Sequence, residues 1–88
     1  MKIEVRKSFE KDIAGISDKN LALIVFALID QFEICQALSE ISHLKKMKGK
    51  GNYYRIRVGN YRLGLKLSEG TLILLRFMSR KDIYKYFP

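Results

Sequence analysis

Tyr53–Leu67 reads YYRIRVGNYRLGLKL. Two runs that alternate apolar and polar residues meet at Gly59-Asn60, a dipeptide suited to reversing a strand within two residues. With that loop Val58 stands opposite Tyr61, Arg57 opposite Arg62, Ile56 opposite Leu63, Arg55 opposite Gly64, Tyr54 opposite Leu65 and Tyr53 opposite Lys66. One face then carries Tyr53, Arg55, Arg57, Arg62, Gly64 and Lys66. The other carries Tyr54, Ile56, Val58, Tyr61, Leu63 and Leu65. An odd-length loop would set Arg57 beside Tyr61 and mix the faces, so the apolar pattern selects the register.

The basic face of this hairpin contains no acid. Arg57 directly opposite Arg62 is a like-charge pair that costs stability unless an anion visits. Gly64 removes a side chain opposite Arg55 and is expected to leave room for a ligand to approach the sheet. Solubilising faces usually mix signs, and this one has none to mix. Arginines with a tyrosine and a gap suit a polyphosphate chain with bases to stack.

Working outward, the 88-residue chain carries a formal net charge of +8. The charge is uneven: residues 1–43 hold five basic and seven acidic side chains, whereas residues 44–66 hold eight basic and none acidic. Such a basic excess points to an anionic partner, whether nucleic acid, membrane or acidic protein. The length predicts one domain spanning residues 1–88, with a thin core and two layers. Cys35 is the only cysteine, which excludes an intrachain disulfide and is compatible with a reducing compartment. It is expected to be a small buried hydrophobe. MKIEVRKSFEKD places charges where a secretory signal would be apolar. LALIVFALI (Leu21–Ile29) is far short of the roughly 20 residues of a membrane span, so it reads as a core helix. A cytoplasmic location is the expectation.

MKIEVRKS alternates as a half-buried strand, with Ile3 and Val5 on one face. Phe9, Ile13 and Ile16 then mark a helix with Ser8 as a plausible N-cap. A second helix is expected from about Lys19 into the late thirties, capped by Ser17 or Asp18. Its wide apolar stripe is Leu21, Ile24, Val25, Leu28, Ile29, Phe32 and Cys35. ALSEISHLKKMKGKGN reads as a polar connector broken by Gly49 and Gly51. A last strand follows from TLILLRFM. A three-residue loop Ser68-Glu69-Gly70 would pair Leu67 with Thr71, face Ile73, Leu75 and Phe77 to the core, and put Arg76 and Arg80 on the basic face. The expected fold is α+β, in the order β-α-α-β-β-β, with two helices on one face of a mainly antiparallel four-stranded sheet.

LKKMKGKGNYYRIRVGNYRLGLKL…LLRFMSRKDIYKYFP resembles the RelE/ParE family of bacterial toxins from toxin–antitoxin pairs, and within it the RelE branch, whose members cleave mRNA on the ribosome. The likeness spans nearly the whole chain and is strongest from Leu44 to Pro88. It implies a RelE-like β-α-α-β-β-β fold and metal-independent cleavage, needing no cofactor, in which the ribose 2′-OH attacks the adjacent phosphate. On the matched positions it implies catalytic roles for Arg62, Arg80, Tyr84 and Arg55. RNA or phosphate contacts fall to Arg57, Lys46, Lys48, Lys50, Tyr53, Lys66, Arg76 and Lys81. Guanidinium groups bind phosphate oxygens in pairs and stabilise charge building at phosphorus. Ser79 stands where many members carry a histidine, the usual proton carrier near neutral pH. The implied partners are mRNA, the ribosome and an acidic antitoxin. The alternatives are a gyrase poison of the ParE type and a non-catalytic module that binds nucleic acid or antitoxin. His43, the one histidine, lies outside the matched positions, and the sequence shows no metal-ligand cluster and no reason to expect a membrane partner.

Overall fold

The hairpin forms in the register that its apolar pattern selects: every pair from Val58–Tyr61 to Tyr53–Lys66 is present. Gly59 takes the left-handed conformation its turn requires, with φ of 58°, as suits glycine at the first central position. The computed structural model describes residues 1–49 and 51–88. Its elements are β1 (Lys2–Val5), α1 (Lys7–Ala14), α2 (Lys19–Ile34), a 3-10 turn (Leu38–Glu40), β2 (Leu44–Lys46), β3 (Tyr53–Val58), β4 (Tyr61–Ser68), β5 (Thr71–Ser79) and α3 (Arg80–Tyr86).

The sheet has five strands rather than four, in the order β1-β5-β4-β3-β2. β1 runs parallel to β5, and the other pairs are antiparallel. The extra strand, β2, lies in the segment read as connector, with Leu44 opposite Ile56 and Lys46 opposite Tyr54. Three residues are too few to show a period of two. The open edge of β3 recruits them, because its backbone groups need partners.

The last strand departs most from expectation. Glu69 and Gly70 both have positive φ, 49° and 77°, and form a two-residue turn that pairs Ser68 with Thr71. Leu72 and Leu74, not Ile73 and Leu75, therefore enter the main core. The register then shifts, since Leu65 faces Leu74 while Gly64 faces Arg76. Leu75 is the extra residue of a bulge, and the bulge returns Phe77 to the main core as expected.

β5 outruns β1, and α1 completes its exposed edge. The Arg6 amide donates to the Leu74 carbonyl (3.0 Å). The Ser8 hydroxyl donates to the carbonyl of Leu75 (2.6 Å), and the Phe77 amide donates to the Asp12 carboxylate (2.9 Å). Ser8 is thus not an N-cap; Arg6 holds that position without a side-chain bond. Asp18 does cap α2, accepting from the amides of Asn20 (3.0 Å) and Leu21 (3.2 Å).

The chain builds three layers, not two. Phe9 of α1 and Val25 and Phe32 of α2 pack with Ile56, Leu63, Leu65, Leu72, Leu74 and Phe77 on one sheet face. On the other, Met78, Ile83 and Phe87 form a second cluster with Met47, Tyr53 and Leu75. This second layer exists because the tail is helical. The Ser79 hydroxyl accepts from the Asp82 amide (3.3 Å), and α3 turns back over the hairpin. The gap at Gly64 is filled from within: a Cβ there would lie 2.9 Å from the Phe87 ring. The room expected for a ligand is occupied by that ring.

Gly64→Ala should therefore lower stability by about 1–3 kcal/mol through overpacking. In a Phe87→Ala background the same change should be neutral or stabilising, because alanine costs less backbone entropy than glycine. Urea unfolding of the four variants in a double-mutant cycle measures this coupling.

Candidate nucleic-acid interface

The hairpin, β2 and α3 enclose a cleft of about 490 Å³ lined by Lys45, Lys46, Met47, Lys48, Arg55, Tyr84, Phe87 and Pro88. Each element contributes for a local reason. β2 lies against β3 at the sheet edge and delivers Lys45 and Lys46, both exposed. Arg55 projects from β3 between Gly64 of β4 and Lys45 of β2, its partners on the two neighbouring strands. α3 brings Tyr84, whose ring lies 5.6 Å from the Arg55 guanidinium carbon. That distance is within the range of a cation–π contact. It leaves a cation and an aromatic face side by side at the mouth of a cleft whose lining holds four basic residues and no acid.

A second aromatic–cation pair adjoins it. The Lys66 ammonium lies 5.4 Å from the centre of the Tyr53 ring, and Tyr53 meets Phe87 edge to face at 5.7 Å. Of the residues singled out in the sequence, Arg55, Tyr84, Lys46 and Lys48 thus share the cleft, with Tyr53 and Lys66 beside it. Lys45 and Met47 also line it; they lie within the matched stretch LKKMKGK but are assigned no role there, and the placement of that stretch beside β3 is a tertiary event. Lys50 lies outside the described residues.

The remaining arginines go elsewhere. Arg62 is only 7% exposed. Its Nη1 donates to the carbonyls of Gly59 (3.0 Å) and Tyr61 (2.9 Å), and its Nε is buried with no hydrogen-bond partner among the described residues. Arg57 does face Arg62 across the strands, but Arg57 is exposed and lines a different, mainly apolar groove of about 310 Å³ beside Leu28, Phe32 and Val58. The expected repulsion is relieved because the Arg62 guanidinium turns to carbonyl oxygens.

Arg76 pairs with Asp12 through two hydrogen bonds, Nε to Oδ2 (2.8 Å) and Nη2 to Oδ1 (3.2 Å). The bond to Asp12 holds its guanidinium above the ordinary range, against an opposing effect of burial. A raised value leaves the guanidinium charged throughout the working pH range. Arg76 is committed to α1 rather than free for phosphate. Arg80 is not on the last strand: it opens α3 and is exposed, with its amide donating to the Asn60 carbonyl (2.8 Å). Lys81 is exposed on α3, and neither residue lines the cleft.

Two stability effects follow from these contacts. Asp12→Ala should cost about 1–3 kcal/mol, because the Phe77 amide loses its acceptor, and Asp12→Asn should cost less; chemical denaturation ranks them. Ser79→Ala should cost about 1 kcal/mol through the lost helix cap, with Ser79→Asp close to wild type, read from the thermal midpoint.

No family model matches the chain. Toxin RelE3 of Methanocaldococcus jannaschii is 42% identical to it over the full length of both proteins. A chain from the RelB–RelE antitoxin–toxin complex of Methanococcus jannaschii superposes with a TM-score of 0.83 at 36% identity, covering 97% of this chain and 99% of that one. A chain of the archaeal RelE–RelB complex from Pyrococcus horikoshii OT3 gives a TM-score of 0.72 at 20% identity over 90% of this chain and 93% of that one, a likeness of fold. These relatives are archaeal, so the kinship is not confined to the bacterial toxins that the motifs resemble. With the relative's identity maintained over the full length and the fold shared, the chain belongs to the RelE family of toxins.

Proposed function

We propose that this protein is the toxin of a toxin–antitoxin pair and acts as a ribosome-dependent endoribonuclease on mRNA. The observation that carries the reading is the acid-free cleft in which Arg55 abuts Tyr84 beside Lys45, Lys46 and Lys48. In the reaction the ribose 2′-oxygen forms a bond to the adjacent phosphorus as its proton leaves. The bond from phosphorus to the 5′-oxygen breaks, and that oxygen takes up a proton, leaving a 2′,3′-cyclic phosphate. Cations clustered at the phosphate stabilise the charge that builds on its oxygens. Arg55 suits this role through its paired donors, and Lys46 and Lys48 suit neutralisation of the flanking backbone. Tyr84, half-exposed at the rim, offers a face on which a base stacks and a hydroxyl for proton donation.

Arg80, Lys81, Lys66 and Arg57 extend the basic surface beyond the cleft for the RNA backbone. Arg62 supports the site indirectly, by holding the Gly59–Tyr61 turn against which Arg80 is hydrogen-bonded through Asn60. Ser79 takes no part in proton transfer, since its hydroxyl caps α3. The antitoxin partner is supported by the antitoxin–toxin complexes among the structural relatives. Its acidic segment would cover the same cations, and charge complementarity would speed that encounter.

The test is primer extension on messages in a translating extract. The wild type should cut within codons, and Arg55→Ala should slow cutting by roughly a hundredfold, the order seen on loss of a charge-stabilising group. Tyr84→Phe should retain stacking but lose any contribution of the hydroxyl. Messages that stay intact while growth is inhibited would overturn the nuclease reading.

A further inference from the structure

We infer that α2 is the interface of a two-fold homodimer in which two copies of the helix run antiparallel, crossing at Phe26. The inference is independent of the chemistry proposed for the basic cleft.

α2 is apolar around most of its circumference between Leu21 and Ile29, a pattern that belongs to a helix covered on all sides. In the isolated chain it is covered on one side only. Val25 and Phe32 are buried, while Leu23 is 63% exposed, Phe26 50% and Ile34 80%. On the outward side Lys19, Phe26 and Glu33 recur every seven residues and so form one stripe. All three are exposed, as are Leu23 and Asp30 one turn to either side of Phe26. The stripe is self-complementary about its midpoint. An antiparallel copy centred on Phe26 sets Phe26 against its counterpart, and it sets Lys19 at each end against the copy's Glu33.

The charges on α2 point to the same occupant independently. Lys19 is the first residue of the helix and Glu33 lies in its last turn; no acid sits in the first turn and no base in the last. Both therefore oppose their own helix dipole. Beside an antiparallel copy each is correctly placed: Lys19 lies against the partner's carbonyl end and Glu33 against its amide end. The two basic clefts would stay clear of the dyad, because none of the cleft-lining residues lies on α2. An interface built around one helix of 16 residues is at the small end of specific contacts, so the dimer should be weak and concentration-dependent.

Sedimentation equilibrium of the full chain tests this over roughly 1–300 µM, where small interfaces associate. The expected mass rises from the 10.3 kDa monomer toward twice that value. Phe26→Asp, at an exposed site that leaves the circular dichroism unchanged, should abolish the rise. Lys19→Glu and Glu33→Lys should each weaken association about tenfold, while the double exchange in one chain should restore it, because only a two-fold antiparallel pair then regains both contacts. The inference is overturned by a monomer at every concentration, by a dimer indifferent to Phe26→Asp, or by a double exchange that fails to restore association. A chain that stays monomeric but loses an acidic protein partner on Phe26→Asp also overturns it and assigns the face to that partner.

Discussion

The seating of the Phe87 ring on Gly64 is the contact on which the far side of the sheet depends. Gly64 is the one position in the hairpin strands without a side chain on that face, and the ring lies within 2.9 Å of where a Cβ would be. This close approach anchors the end of α3, buries Ile83 and Met78, and holds Tyr84 beside Arg55. A larger residue at position 64 would lift the tail and separate the aromatic from the cation. Packing and site geometry are thus coupled through a single small residue, and the glycine serves the protein's own core before it serves any ligand.

Arginines that look equivalent along the chain differ in what the fold sets beside them. Arg62 sits under the turn and spends its donors on backbone carbonyls. Arg76 binds Asp12 of α1 and helps close the edge of β5 left open where β1 ends. Arg55 and the lysines of β2 have no acidic partner among the described residues and stand in a concave setting. A guanidinium already bound to carbonyls or a carboxylate is screened from an incoming phosphate, so the electrostatic attraction of the proposed site concentrates on Arg55, Lys45, Lys46 and Lys48. The Arg62 Nε, buried without a partner among the described residues, is the one costly element of this arrangement.

Ser79 shows how a change at one motif position alters both structure and proposed chemistry. Serine is among the favoured helix caps, and its hydroxyl accepts the Asp82 amide. That bond starts α3 directly after β5 and so places Arg80 on a helix instead of a strand. A serine hydroxyl, unlike an imidazole, does not gain or lose a proton readily near neutral pH. In the proposed mechanism, proton transfer therefore falls to groups in the cleft, among them Tyr84, whose ring lies beside Arg55.

The sequence by itself determined the hairpin register, because a slip of one residue would have exposed Ile56, Leu63 and Leu65. It also narrowed the α2 cap to Ser17 or Asp18 and marked the core stripe of that helix through Val25 and Phe32 and the α+β class; these depend on neighbours within a few residues. The tertiary structure alone decided the rest. Whether Leu72 or Ile73 faced the main core turned on one residue of loop length, with Glu69 accepting a left-handed φ that its side chain disfavours. The bulge at Leu75 depends on α1 supplying a hydroxyl and a carboxylate from more than sixty residues away. β2 appears only because β3 has an open edge. Which arginines stay free depends on where Asp12 and the turn carbonyls lie in space. Periodicity reports which face a residue is on; it does not report what another part of the chain brings to that face.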